Sequence, residues 1–237
     1  MAAISAEQFE AEFREFARLS AGDSRFDVQW EDRKPFLNDR TSSTGFDRHY
    51  IYHTSWAARV LAEIRPARHV DISSSLYFAG IVSAFVPVDF YDYRPADLRL
   101  SSLSMASADL QRLPFETQSQ ASLSCMHVVE HVGLGRYGDP IDPEGDLKAM
   151  AELQRVIAPE GSLLFVVPMG RPRVVFNGHR IYAYRQIMAA FSELKLRQFA
   201  LIPEHGRDGG LLIDATEAMA DREEYGCGCF WFERGGT

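Results

Sequence analysis

Apolar residues in the first twenty positions recur at helical spacing: Phe9, Phe13, Phe16 and Leu19 fall on one face, preceded by the capping-box pattern of Ser5 and Gln8. This predicts an amphipathic first helix whose aromatic face belongs to the core. Residues 21–47 lose that period, carry Pro35 and the polar run Thr41-Ser42-Ser43-Thr44-Gly45, and read as a long surface connection of the kind that often carries function. Thr54 then caps a helix in which Trp56, Val60, Leu61 and Ile64 share a face, stopped by Pro66.

From His69 onward the pattern changes. Short apolar strands at 69–72, 88–91, 122–126, 163–167, 196–202 and 227–232 alternate with helical stretches at 76–85, 146–157 and 184–191, and a weaker element covers 98–104. The run Leu163-Leu164-Phe165-Val166-Val167 is the strongest buried-strand signal in the chain. Alternation of strand and helix implies an α/β fold on a doubly wound, mostly parallel sheet. The last two strands lack a helical crossover and permit an antiparallel hairpin at one edge. Residues 1–68 are then N-terminal helices and a lid-like loop of the same unit, and 69–237 form the core domain.

Composition narrows the class. With 46% hydrophobic and 24% charged residues among 237, disordered and fibrous chains are excluded. Acidic residues outnumber basic ones 33 to 25, and the net charge of -8 disfavours general nucleic-acid binding. Cys125, Cys227 and Cys229 cannot all pair, which predicts a reducing, cytoplasmic setting, with the last two as buried thiols on one strand face. Glu7, Glu10, Glu12 and Glu15 stand where an export signal needs an apolar core. The uncharged stretch Ile72 to Val88 is broken by serines, Gly80 and Pro87, and reads as buried interior rather than a membrane span.

Several segments, in order, resemble the class I S-adenosylmethionine-dependent methyltransferases. Val70-Asp71-Ile72-Ser73-Ser74-Ser75 is similar to the family's first strand and turn, Asp92 to the acid ending its second strand, and Asp109-Leu110-Gln111-Arg112-Leu113-Pro114-Phe115 to its adenine-side segment. Cys125 to Val132 resembles the fourth strand with its Glu-His exit, and Pro159-Glu160-Gly161 the turn before the fifth. The resemblance implies a seven-stranded Rossmann-like methyltransferase fold with an N-terminal helical extension. It also implies S-adenosylmethionine as cofactor, bound by Asp71, Ser73, Ser75, Asp92, Tyr93, Asp109, Leu110 and His127. At the family's turn glycines this chain has Ser73, Ser75 and Tyr77, which place two Cβ atoms and a ring at the methionine end. Gly133-Leu134-Gly135-Arg136-Tyr137-Gly138-Asp139-Pro140 and Phe176-Asn177-Gly178-His179-Arg180-Ile181-Tyr182 resemble a narrower methyltransferase-like family, first catalogued from nematode proteins, of no established activity.

Those two segments supply the acceptor side: Arg136, Asp139, Asn177, Arg180 and Tyr182 as contacts for a small or sugar-like acceptor, and His131, His179 or Tyr137 as catalytic groups for transfer to oxygen. The plainer reading has Arg136 pairing with Asp139 or Asp142 to brace the loop. Two other functions stay open. A catalytically silent methyltransferase fold would serve as a ligand-binding or assembly protein, which the serines at the first turn favour. His127-Val128-Val129-Glu130-His131 also spells the inverted zinc-hydrolase pattern, which needs both histidines on one sustained helix. His49 and His53 are four apart but suit an aromatic helix packing over the pocket, so no metal is expected.

Overall fold

The computed structural model describes residues 3–236. They divide into two compact units, one ending at Phe46 and one beginning at Asp47. In the first, helix α1 (Ala6–Leu19) starts where Ser5 accepts a hydrogen bond from the Gln8 amide, as its capping pattern predicts. Phe9 and Phe13 meet the Trp30 ring at 6.2 and 4.9 Å. The expected core face is only partly realised: no α1 residue is buried, and Phe16 and Leu19 are 61% and 67% exposed. A single helix with one tryptophan beside it has too little apolar surface to cover four large side chains.

In the second unit, α2 (Arg48–Ile64) begins earlier than its periodicity indicates. Asp47, not Thr54, is the N-cap and accepts from the Tyr50 amide, while the Thr54 hydroxyl donates to the Tyr50 carbonyl inside the helix. The remaining elements follow in order: β1 (His69–Ile72), α3 (Leu76–Val82), β2 (Val88–Asp92), β3 (Leu103–Ser107), β4 (Gln120–Met126), α4 (Gly145–Val156), β5 (Ile157–Met169), β6 (Arg173–Val175), β7 (His179–Ile181), α5 (Tyr184–Ala190), β8 (Lys195–Ile202), β9 (Leu212–Ile213), α6 (Glu217–Ala220) and β10 (Gly226–Glu233). The weak element predicted at 98–104 is strand β3, displaced a few residues toward the C-terminus.

The main sheet runs β3-β2-β1-β4-β5-β10-β8-β9, parallel from β3 through β5, with β10 antiparallel to both its neighbours. The antiparallel pair therefore lies at one end of the sheet, with β10 inserted between β5 and β8 and the two-residue β9 outside. Side chains alternate along the central strand. Leu163, Phe165 and Val167 pack with Met150 and Leu153 of α4 and Ile187 of α5, whereas Leu164 and Val166 pack with Trp56 and Val60 of α2 and Phe78 of α3. Covering both faces explains why β5 is apolar throughout its centre and shows no polar alternation. A separate hairpin, β6 with β7, turns at Asn177, whose φ of +61° is left-handed.

Candidate active site

In an open parallel sheet the ligand crevice lies beyond the carboxyl ends of the strands. A cavity of about 370 Å³ lies there, at the ends of β1, β2 and β4. Of the residues expected to bind a cofactor, Ser73, Asp92, Tyr93, Asp109, Leu110 and His127 line it. Asp71 and Ser75 do not. Asp71 is fully buried and accepts hydrogen bonds from the Ser74 amide and the Ser124 hydroxyl. Ser124 also meets His69 Nε2 at 2.8 Å, and His69 Nδ1 meets Ser122 at 2.8 Å, so Asp71 ends a buried polar chain that holds β1 to β4. Its carboxylate shapes the turn from beneath. Ser75 is the N-cap of α3.

Serine at the turn keeps the conformation that glycine would favour. Ser73 has φ +54°, its amide donates to the Tyr91 carbonyl at 2.7 Å, and its hydroxyl donates to the same oxygen. The ring expected at the methionine end is elsewhere: Tyr77 is 86% exposed and takes no part in the cavity. Asp92 and Asp109 each use one carboxylate oxygen to accept from the amide two residues on, Arg94 at 2.7 Å and Gln111 at 2.9 Å. The two acids form one side of the cavity.

The exit of β4 forms the other side. His127 is left-handed (φ +57°), and its Nδ1 lies 2.9 Å from Glu130 Oε1 while its Nε2 faces Cys227 Sγ at 3.4 Å. Val129–His131 is a single 3-10 turn, so the zinc-hydrolase pattern has no sustained helix to align its histidines. His131 instead donates from Nδ1 to the Gly178 carbonyl at 2.6 Å, which leaves its Nε2 as an acceptor; both His131 and Tyr137 line the cavity. Burial pushes the Glu130 carboxyl up to about 7 and holds His131 below its usual value.

Rings that local spacing did not bring together surround His127. His49 stacks on it at 5.7 Å, Tyr50 at 5.6 Å, and His53 meets it edge-on at 5.0 Å. Tyr225 lies 5.2 Å from His49 and 5.0 Å from His179, and His179 is not among the residues lining the cavity. The one sequence signal for this cluster is the four-residue spacing of His49 and His53 on the apolar-faced α2.

These buried groups set an acid limit on stability. Desolvation lowers His53 and His69 to about 3 and His49 and His127 to about 4, and raises Asp71 to about 6 and Glu130 to about 7. Below pH 6.5 the unfolded chain protonates four imidazoles that the folded chain keeps neutral, while the folded chain retains protons on two carboxyls. The unfolded state binds the greater number, so stability falls as pH drops from 6.5 toward 4.5. In metal-free buffer the melting temperature is expected to fall on the order of 5 °C per pH unit there. A melting temperature that rises on acidification would contradict the balance.

Most of the proposed acceptor contacts are spent inside the protein. Asp139 touches the cavity, but its carboxylate accepts from the amides of Gly133 at 2.7 Å, Tyr137 at 3.2 Å and Gly135 at 3.4 Å, so the loop braces on it. Arg136 does not pair with Asp139 or Asp142; it donates to the Gly178 carbonyl at 3.2 Å, and Lys148 holds Asp142. Asn177 reaches the Leu134 carbonyl at 3.5 Å. Arg180 and Tyr182, expected at the acceptor, are buried: Arg180 donates to the Val132 carbonyl, and the Tyr182 hydroxyl donates to Asp146 at 3.0 Å. Tyr137 remains at the rim, 43% exposed, with the Arg94 and Arg136 guanidinium groups each 5.1 Å from its ring centre.

Sheet order and strand-end cavity together define the class: this is a class I methyltransferase fold. Within it, residues 97–197 match the family described as Caenorhabditis protein of unknown function, DUF268. Among solved structures, the chain is similar to the N-methyltransferase NodS from Bradyrhizobium japonicum in complex with S-adenosyl-L-homocysteine. The two are 15% identical, with 94% of this chain and 97% of that one covered and a TM-score of 0.53. It is also similar to the 1,6-didemethyltoxoflavin-N1-methyltransferase of Burkholderia thailandensis with bound 1,6-didemethyltoxoflavin and S-adenosylhomocysteine, at 11% identity, 99% and 92% coverage and a TM-score of 0.53. The cyclase SpnF shares the fold at 13% identity, 100% and 98% coverage and a TM-score of 0.51, so the fold alone does not fix the reaction. No curated protein matches the sequence. Among the described residues no helix is long and apolar enough to cross a membrane.

Proposed function

We propose that this chain is an S-adenosylmethionine-dependent methyltransferase acting at oxygen on a small, hydroxyl-bearing, sugar-like acceptor. The observation that carries the reading is one cavity at the strand ends that Asp92, Asp109 and His131 line together. The donor set fits the cofactor. Asp92 would take the ribose hydroxyls, Asp109 the adenine amino group, Leu110 the adenine face, and the left-handed turn at Ser73 would let backbone approach the methionine end. Both acids also favour a cationic ligand. When bound, S-adenosylmethionine supplies an electrophilic methyl group on sulfur.

The chain's own work is then positioning and proton transfer. His131 Nε2 accepts the proton of the acceptor hydroxyl, and the Gly178 carbonyl holds the ring in the tautomer this needs. Tyr137, with two guanidinium groups over its ring, offers an apolar and hydroxylated rim for a sugar-like face. Asp92→Ala is expected to weaken S-adenosylmethionine and S-adenosylhomocysteine roughly 10- to 150-fold in calorimetric titration, the worth of about 1.5–3 kcal/mol for hydrogen bonds to a charged group. Absence of heat and of thermal shift with the parent protein at millimolar cofactor would remove the enzyme reading and leave the silent-fold alternative.

A further inference from the structure

We propose that His127 Nε2, Cys227 Sγ and a ring nitrogen of His49 form a three-ligand site for a zinc-class divalent cation. The three donor atoms lie within 4.8 Å of one another, on α2, the exit of β4 and the first half of β10. The His127–Cys227 distance of 3.4 Å is close to the edge of about 3.5 Å that ligands at about 2.0–2.1 Å (nitrogen) and 2.3 Å (sulfur) span on a tetrahedral ion. His49, whose donor atom lies within 4.8 Å of the other two, is half-buried and would close on the ion by a side-chain rotation.

Two further observations point to a ligand at this place. Glu130, buried beside His127, takes its other ring nitrogen at 2.9 Å, the carboxylate-histidine pairing that orients an imidazole for a metal. His53, fully buried and 5.0 Å from the His127 ring, has its Nδ1 against the His49 carbonyl, and its Nε2 finds no partner among the described residues. A buried nitrogen left with its lone pair is costly unless a water or an ion satisfies it. The donors, two imidazoles and a thiol that binds as thiolate, favour zinc over the oxygen-seeking magnesium and calcium. Three protein ligands leave a fourth position, as in catalytic rather than structural zinc sites. The site differs from the inverted hydrolase pattern, whose second histidine, His131, is turned to Gly178.

The test is metal binding by the full chain without S-adenosylmethionine, so its outcome is separate from that of the methyltransferase reading. After chelator treatment, zinc titrated against a chromophoric competitor is expected to bind at one ion per chain with a submicromolar Kd. Cobalt in its place should give thiolate-to-cobalt charge-transfer absorption that Cys227→Ser abolishes. His49→Ala, at a half-exposed position, should weaken zinc by more than the 10- to 100-fold typical of losing an outer-shell partner, with the circular dichroism of the metal-free protein unchanged. Substoichiometric zinc in the parent protein, or unaltered affinity in both variants, overturns the site.

Discussion

Arg180→Ala is expected to lower the unfolding free energy by about 3–5 kcal/mol, read from chemical denaturation. The guanidinium group is 3.5 Å from Asp146 with both side chains 8% exposed, and it also donates to the carbonyls of Val132 at 2.6 Å, Pro143 at 3.3 Å and Asp142 at 3.4 Å. Truncation strips three part-buried carbonyls of a donor and leaves the Asp146 carboxylate to the Tyr182 hydroxyl. The loss should spread locally. Gly133 sits at φ +78° so close to this corner that a Cβ there would lie 2.0 Å from the Asp142 carbonyl, so the chain has no slack to refill the space. Arg180→Lys keeps the charge but cannot serve carbonyls on several sides, and should fall between the two. A change below about 1 kcal/mol for Arg180→Ala would mean that this side chain is free to meet a ligand after all.

That outcome bears on what the sequence could disclose. The central strand was legible because a strand covered on both faces is apolar whatever its neighbours are, and the run at Leu163 needs no knowledge of its partners. Asp92 and Asp109 were legible because strand-end position decides what they face. Arg180 and Tyr182 were not, since a polar motif in a loop looks the same whether it points at a pocket or braces a turn. Their burial depends on Asp146 and on carbonyls some 40 residues away in the chain. Asp71 lies outside the cavity lining for the same reason: its partner Ser124 comes from another strand. Local spacing also could not assemble His49, His127 and Cys227, which meet only after three separate elements have packed.

His131→Asn is expected to reduce methyl transfer about 10²- to 10⁴-fold in a panel of small hydroxylated acceptors scored by S-adenosylhomocysteine release. Asparagine can still donate to the Gly178 carbonyl, as Nδ1 does at 2.6 Å, so the loop should stay in place while the accepting nitrogen is lost. Cofactor affinity should therefore change little, which separates loss of a base from loss of the pocket. The pH profile gives a second reading. Burial holds His131 below its ordinary value, so the parent protein should keep its activity at neutral pH and lose it on acidification below pH 6.5, as the nitrogen takes a proton it can no longer accept from the acceptor. The variant's residual rate should lack that acidic limb. If His131→Asn keeps both the rate and the limb, the proton goes to another group; His179, beside Tyr225 and half-buried, is the alternative the histidine cluster offers.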